Sequence, residues 1–451
     1  MKIALVRPNY YTHLITPHLG LGYLSSFLKK HGFSVEIIDA LNLGLSDEEV
    51  SSRCADADLV GINCLSDYYP EVISLSRALK RQGKTVVLGG PHPSSLPELS
   101  LEETGADFVA LGEGEETLLE LASALKDNQA ERKITGLFSA RQRDFARRGL
   151  IKDLDELPFP DWGQMDPRQY KKAPHGGVVK KFPVAPICTT RGCPFSCTFC
   201  ASPSFWERKI RFRSPRNVAD EIEYLVDNFQ VREIHFEDDN LTLKKEHALA
   251  ICEEILRRNL RICWATPNGI RADTVDMELL RLMKRSGCYQ VAFGIESASN
   301  QILKNIKKET NLAVISAAVR LAHKAGLLTQ GFFIFGLPGE TEETIAETIR
   351  FAGKLPLDKA QFLLLDILPG SELWEKLKGQ FSVNWDRRSY QEVCWVPENL
   401  SKEALGDAPA RAFRSFFFNP VRMIKMAKLI KPSQLRYVFR RLRDFGVVAR
   451  N

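Results

Sequence analysis

The stretch "RGCPFSCTFC", Arg191 to Cys200, places Cys193, Cys197 and Cys200, three of the chain's ten cysteines, within eight residues. Four chemistries bring thiols this close: a disulfide staple, a structural zinc, a redox pair and an iron–sulfur cradle. Disulfides belong to oxidising compartments, and three thiols leave one unpaired. Structural zinc takes four ligands, yet no second CxxC pair stands nearby, and only His175, upstream, offers a distant fourth. A redox CxxC has no use for the third thiol. Iron–sulfur clusters are held by thiolates, usually four. Three would leave one iron open to a substrate or cofactor. Gly192 and Pro194 are turn formers that suit a short chelating loop.

Working outward, "VAPICTTR" (184–191) reads as the strand that enters this loop. Further strands are expected at "VREIHFED" (231–238), "LRICWATPNGIR" (260–271), "CYQVAFGIE" (288–296), "LLTQGFFIFG" (327–336) and "KAQFLLLDILPG" (359–370). Helical segments separate them, such as "SPRNVADEIEYLVDNF", where Ser214 is the expected N-cap before Pro215. Six strands spaced in this way suit a βα barrel or most of one, with chemistry at the carboxyl ends of the strands. The three-cysteine loop stands at such an end.

Ahead of the barrel, residues 1–125 alternate β-rich runs with helical periods: "KIALVRP", "SVEIIDA", "ADLVGINC", "TVVLGGPHP" and "ADFVALGEGEETLLELASAL". Five βα units predict a doubly wound parallel sheet, with ligands beyond the strand ends at "RPNYYT", "NCLSDYY", "GGPHPSS" and "GEGEET". Residues 126–182 are rich in Pro, Gly and charge and read as a linker draped over its neighbours. The expected division is 1–125, linker 126–182, barrel 183–380 and a mainly helical basic region 381–451.

The chain has 451 residues and a net charge of +6, but residues 411–451 carry eleven Lys/Arg against the single acid Asp444. That tail is +10, leaving about −4 for the rest. With aromatic and aliphatic residues interleaved, it suits either a helix pair packed on the barrel or peripheral contact with an anionic membrane face. No groove-reading motif accompanies it, so nucleic acid is not expected as a partner. No apolar run of about 18 residues and no signal-like start are present, which points to the cytoplasm.

C-x3-C-x2-C with an aromatic before the last cysteine resembles the signature of the radical S-adenosylmethionine (radical SAM) superfamily. "HFEDDN", "FGIESAS", "GFFIFGLPGETEE" and "LDILPGSELWEKL" agree at the second, fourth, fifth and sixth strands, so the resemblance spans about residues 184–380. It implies that Cys193, Cys197 and Cys200 ligate a [4Fe-4S] cluster whose open iron chelates S-adenosyl-L-methionine. One electron, from a donor such as flavodoxin or ferredoxin, would then release a 5′-deoxyadenosyl radical. By the same resemblance Phe199 lies near the adenine, and Glu237 or Asp238 meets the amino group. Glu296, with Ser297 beside it, meets the ribose, and Arg271 pairs with the methionine carboxylate. For Glu296 and Arg271 an ordinary ion pair is the alternative.

A Rossmann-like (flavodoxin-like) domain before such a barrel is similar to that of the cobalamin-binding radical SAM subfamily, through "TPHLGLGYLSSFLKKHG", "LGGPHPSSLPE" and "LGEGEETLLEL". The resemblance implies a corrin lying on the strand ends over Gly89 and Gly90, with His92, Gly112 and Gly114 around it. No Asp-x-His-x-x-Gly is present, so a histidine below the cobalt is not implied. "GEGEET" lacks the lysine of a P-loop and the first-βα position of a dinucleotide fingerprint. The implied fold is α/β, a cobalamin-binding domain followed by a partial (β/α)6 TIM-type barrel and a small helical C-terminal region. The implied function is a cobalamin-dependent methyltransferase acting on an unactivated carbon of a small-molecule or lipid-like substrate. Radical rearrangement, cyclisation or carbon–carbon coupling is the alternative enzyme. A non-catalytic iron–sulfur or cobalamin sensor is the alternative of another class, and it would not need the full set of motifs.

Overall fold

The computed structural model describes residues 1–129, 132–143, 146–172, 179–387, 389–420, 422–423 and 432–435. Five parallel strands, β1 (Lys2–Arg7), β2 (Ser34–Asp39), β3 (Leu59–Asn63), β4 (Thr85–Gly89) and β5 (Phe108–Ala110), form the first sheet. Its order is β2-β1-β3-β4-β5, and β6 (Leu137–Ser139) adds antiparallel to β5. The alternation in "KIALVR" explains why both faces are covered. Ile3 and Leu5 join one core with Leu28 and Leu121, while Ala4 and Val6 join the opposite core with Val72 and Leu79. The order is that of a flavodoxin-like sheet, whose crevice opens where β1 and β3 part company.

The second sheet is β7 (Val184–Ile187), β10 (Glu233–Phe236), β11 (Cys263–Ile270), β12 (Cys288–Glu296), β13 (Leu328–Phe335) and β14 (Lys359–Leu364). Each strand pairs in parallel with the next, and β7 and β14 remain edges, so the barrel is open along one side. All six expected strands and all five of the first sheet are present. Helices such as Pro215–Phe229, capped by Ser214 Oγ accepting from Asn217 N at 3.1 Å, cover the outside.

Two features were not foreseen. The "VAPICTTR" strand breaks after Ile187, and its last residues form a small antiparallel hairpin, β8 (Thr190–Arg191) with β9 (Arg211–Phe212). Residues 126–182 contribute β6, a strand too short to announce itself by alternation. That segment also fastens the two halves. Asp161 accepts from Ser25 Oγ at 2.7 Å and from Lys29 Nζ at 2.6 Å, while the neighbouring Trp162 donates Nε1 to Glu221 of the barrel at 3.0 Å.

Beyond β14, helix Lys402–Phe417 packs on that strand and buries Phe416, with the Arg422 guanidinium 4.0 Å above its ring. Gln434 donates to Val179 O at 3.3 Å. Among the described residues no helix is long and apolar enough to cross a membrane. Lys425, Lys428, Lys431 and the basic residues from Arg436 onward, which carry most of the tail's charge, lie outside the described residues.

The loop after β13 is pinned by a buried carboxylate. Glu340 accepts from Gly336 N and Leu337 N, its other oxygen has no partner among the described residues, and burial pushes its pKa up to about 7. Between the usual glutamate value of about 4.3 and about 7, the folded protein retains a proton that the unfolded chain has released. Stability therefore falls as pH rises across that window, by roughly 3 kcal/mol. Glu340→Gln keeps the acceptor and removes the charge. Its urea unfolding midpoint is expected to lie above wild type at pH 8 and to approach it near pH 5.

Candidate cofactor site at the domain interface

The cysteine loop departs from β8 through Gly192, at φ 100°, where an added Cβ would lie 2.1 Å from Lys209 O. Only glycine makes this turn, because an L side chain would strike the returning strand. Cys193, Cys197 and Cys200 follow, all half-buried, and all ten cysteines are free thiols. Burial raises the three thiols, Cys200 to about 12, so bare thiolates are disfavoured there. Among the described residues no three His, Cys, Asp or Glu converge as a single metal ion requires. Three thiols on one short loop are the donor set that an iron–sulfur cluster takes.

The loop is held from several strand ends. Thr198 N donates to Ile306 O at 3.0 Å beyond β12, and Thr198 O accepts from Leu373 N at 2.9 Å beyond β14. Beyond β10, one oxygen of the buried Asp238 accepts four hydrogen bonds. They come from Thr189 N (2.9 Å), Thr189 Oγ1 (2.8 Å), Thr190 N (2.6 Å) and Thr190 Oγ1 (2.7 Å). Burial lifts its pKa to about 6, against the pull of those bonds. Asp238 thus latches the chain just before the loop. Asp239 accepts from Ser202 Oγ at 2.7 Å. Glu237 is half-buried and is pushed to about 7 by burial, with Arg7 of β1 opposing and Asp238 assisting.

The remaining barrel residues also have places. Phe199 packs partly buried on the barrel core. Glu296 ends β12 in the left-handed region at φ 65° and pairs with Lys308 at 2.7 Å. Ser297 is buried, its Oγ accepting from Ser299 N at 3.2 Å. Arg271 is engaged twice by Asp273, at 2.9 Å each, and donates to Glu309 O at 3.1 Å. Its guanidinium carbon lies 3.5 Å from the centroid of Phe195, inside the cysteine loop.

The first sheet presents its strand ends to this loop. A Cβ on Gly89 would meet nothing within 4 Å, so the surface there is open. Gly90, at φ 118°, cannot carry a side chain, since its Cβ would lie 2.5 Å from Cys64 O. His92 is enclosed: its ring stacks on Tyr69 at 4.0 Å, Trp385 stands edge-on at 4.7 Å, and Nδ1 meets Ser66 Oγ at 2.9 Å. Burial lowers it to about 3, so the ring is neutral. Gly112 N donates to Ser94 Oγ at 3.0 Å, and Gly114 abuts Leu24. A cavity of about 290 Å³ lies between the two halves, bordered by Ser94, Ser95 and Leu111 on one side and Ser204 and Gly370 on the other.

Sequence reasoning missed the contact that joins the halves. Arg191 donates to Glu113 at 2.6 Å and to Glu115 at 2.7 Å, and Arg211 donates to Glu113 at 2.6 Å. These four side chains are only 5–14% exposed. The acids of "GEGEET" are therefore a clasp on the cysteine hairpin, with no resemblance to a phosphate cradle. Alternating acids in a strand-end loop were the available signal, but nothing in the pattern names their partners. Lys308 was missed as well, because it stands in a turn without periodicity.

Comparison with known proteins places residues 187–352 in the Radical SAM superfamily and residues 11–122 in the B12 binding domain. An uncharacterized methyltransferase, PH0819, of Pyrococcus horikoshii is 34% identical over 94% of this chain and 94% of its own length. The cytidylyl-2-hydroxyethylphosphonate methyltransferase of Streptomyces wedmorensis is 29% identical over 92% of this chain and 90% of its own. The anaerobic magnesium-protoporphyrin IX monomethyl ester cyclase of Rubrivivax gelatinosus is 28% identical over 93% and 78%. Among solved structures, the radical S-adenosylmethionine methyltransferase TsrM from Kitasatospora setae superposes with a TM-score of 0.72 at 21% identity. It covers 96% of this chain and 89% of that one, a likeness of fold.

Arg191→Met leaves Glu113 and Glu115 short of a cation in a poorly hydrated interface. Breaking a buried pair from one side costs about 3–5 kcal/mol. Denaturant unfolding should register a loss of that order, whereas Lys2→Met, which removes a surface pair with Asp56, should stay within about 1 kcal/mol of wild type.

Proposed function

Because the chain belongs to the radical SAM superfamily, with a B12 binding domain ahead of its radical SAM domain, we propose that it is a cobalamin-dependent methyltransferase. Its substrate is a small-molecule or lipid-like compound methylated at an unactivated carbon. The observation that carries this reading is the clasp itself: Arg191, two residues before Cys193, is bound to the strand-end loop of the first sheet. The clasp holds the three-thiol loop beside the loop that follows β5 of the first sheet.

When bound, a [4Fe-4S] cluster supplies the electron that splits S-adenosyl-L-methionine, and cobalamin carries the methyl group. Cys193, Cys197 and Cys200 hold the cluster, and the electron is delivered by a small donor such as flavodoxin or ferredoxin. Glu296, with Ser297 beside it, accepts from the ribose hydroxyls, and Phe199 flanks the adenine. Asp238 Oδ1 is saturated by four hydrogen bonds while Oδ2 has no partner among the described residues, so Glu237 or Asp238 Oδ2 meets the amino group. The two bonds from Arg271 to Asp273 favour it as a brace of the loop, through Phe195, over a partner of the methionine carboxylate. Gly89 leaves room for a corrin, with Gly90, Gly112 and Gly114 shaping the rim. The enclosure of His92 between Tyr69 and Trp385 supports a corrin held without a histidine beneath it.

Similarity to an anaerobic magnesium-protoporphyrin IX monomethyl ester cyclase supports a second reading, radical chemistry without methyl transfer. Anaerobic reconstitution with iron, sulfide and cobalamin, followed by dithionite and S-adenosyl-L-methionine, separates the two. Methylation is expected to yield both 5′-deoxyadenosine and S-adenosylhomocysteine, and 5′-deoxyadenosine alone would favour the second reading. Failure to form either product, even with cell extract supplied as substrate, would count against an enzyme of either kind. Cys197→Ala is expected to abolish both products. Gly89→Leu fills the open strand end, so it should lose cobalamin on gel filtration while keeping the wild-type iron content.

A further inference from the structure

Three hydrogen-bond donors meet in the cavity of about 290 Å³ between the two halves. The first is Arg147, from the segment that joins them. Its guanidinium bridges the halves, Nη1 donating to Ser204 O at 2.7 Å and Nη2 to Ser94 O at 3.0 Å. A guanidinium has five N–H groups, so three remain to be used. Arg147 is half-buried and makes no ion pair among the described residues. Of the acids near it, Glu207 pairs with Lys209 at 2.6 Å, and Glu375, on the cavity wall, is exposed where water and salt screen it.

The other two donors are hydroxyls, one from each half. Ser95 Oγ lies 2.6 Å, and Ser204 Oγ 3.5 Å, from the point that a Cβ on Gly370 would occupy. Gly370, at φ 82°, thus lets the turn beyond β14 close on both serines. Neither hydroxyl hydrogen-bonds to another side chain or to the backbone among the described residues. A cation without a counter-ion beside two unused hydroxyls is the donor set that an oxyanion takes. Ser204 and Glu375 are exposed, so the cavity opens to solvent, as a site for an exchanging ligand must. Ser204 also stands four residues beyond Cys200, and Leu111 on the opposite wall directly precedes Gly112.

We infer that this cavity binds an oxyanion, a phosphate, phosphonate or carboxylate group carried by the substrate, with Arg147, Ser95 and Ser204 as its donors. The anion site stands on the geometry alone. Its assignment to the substrate rests on the function proposed above, which it narrows to anionic compounds.

The test is isothermal titration of inorganic pyrophosphate into the full-length protein reconstituted with iron, sulfide and cobalamin. Wild type is expected to bind it. Arg147→Met should weaken binding at least about tenfold, the size of one lost charge-assisted hydrogen bond, and Arg147→Lys should recover part of that. Arg148→Met is the control and should match wild type, because Glu116 at 3.2 Å and Glu120 at 2.8 Å already neutralise that neighbour. A wild-type protein that takes up no pyrophosphate overturns the inference. So does an Arg147→Met protein that keeps its iron and cobalamin and binds pyrophosphate as wild type does. If Arg147→Met does not assemble, the double variant Ser95→Ala, Ser204→Ala decides, weaker binding supporting the site and unchanged binding overturning it. A second measurement identifies the source of the anion. Cobalamin and cobinamide, which lacks the nucleotide phosphate, should each be retained equally by wild type and Arg147→Met. Loss of cobalamin alone would give the site to the cofactor's phosphodiester and overturn the inference. Arg147-dependent pyrophosphate binding in a protein that forms neither 5′-deoxyadenosine nor S-adenosylhomocysteine would remove the proposed function and support the anion site.

Discussion

The joint between the two halves of this protein depends on a desolvated ion-pair clasp. Arg191 and Arg211 frame the cysteine loop on a hairpin of two-residue strands, and Glu113 and Glu115, beyond β5 of the other sheet, meet them. Such a hairpin is marginal alone, and charges withdrawn from water are tolerated only with partners in place. The hairpin and the interface therefore require one another. Cys193 lies two residues along from the arginine that these acids hold.

Around that clasp the loop is fixed by bonds that regular structure does not supply. Asp238 concentrates four donors on one oxygen, and the backbone of Thr198 is held on one side by Ile306 and on the other by Leu373. An irregular segment carries backbone groups that must be satisfied somewhere. Here they are met by turns beyond β10, β12 and β14, so the open edge of the barrel is bridged at the place where the thiols lie. The open six-strand barrel leaves space there, and the first sheet covers it.

Much of the fold was legible because both sheets are built from periodic runs. "KIALVR" alternates between two cores, and "CYQVAFGIE" is buried almost throughout, as a strand of a covered parallel sheet should be. β6 was illegible because three residues cannot display a period, and its pairing with β5 is a tertiary fact. The cysteine motif was legible by spacing and resemblance. The division of labour among Glu237, Asp238 and Asp239 was not, since consecutive acids at a strand end differ only in which way each points. Arg271 looked available in sequence and is engaged by Asp273 two residues later.

By itself the sequence determined the order of the elements, the two parallel sheets and the three-thiol loop at the end of a barrel strand, because spacing and hydrophobic period are local properties of a chain. Only the tertiary structure decided that the acids of "GEGEET" hold the cysteine hairpin, that Asp238 is a latch, and that Lys308 pairs with Glu296. Those are pairings between charges far apart in sequence. Burial makes an unpaired charge costly, so folding selects its partner by proximity in space, which no run of neighbouring residues encodes.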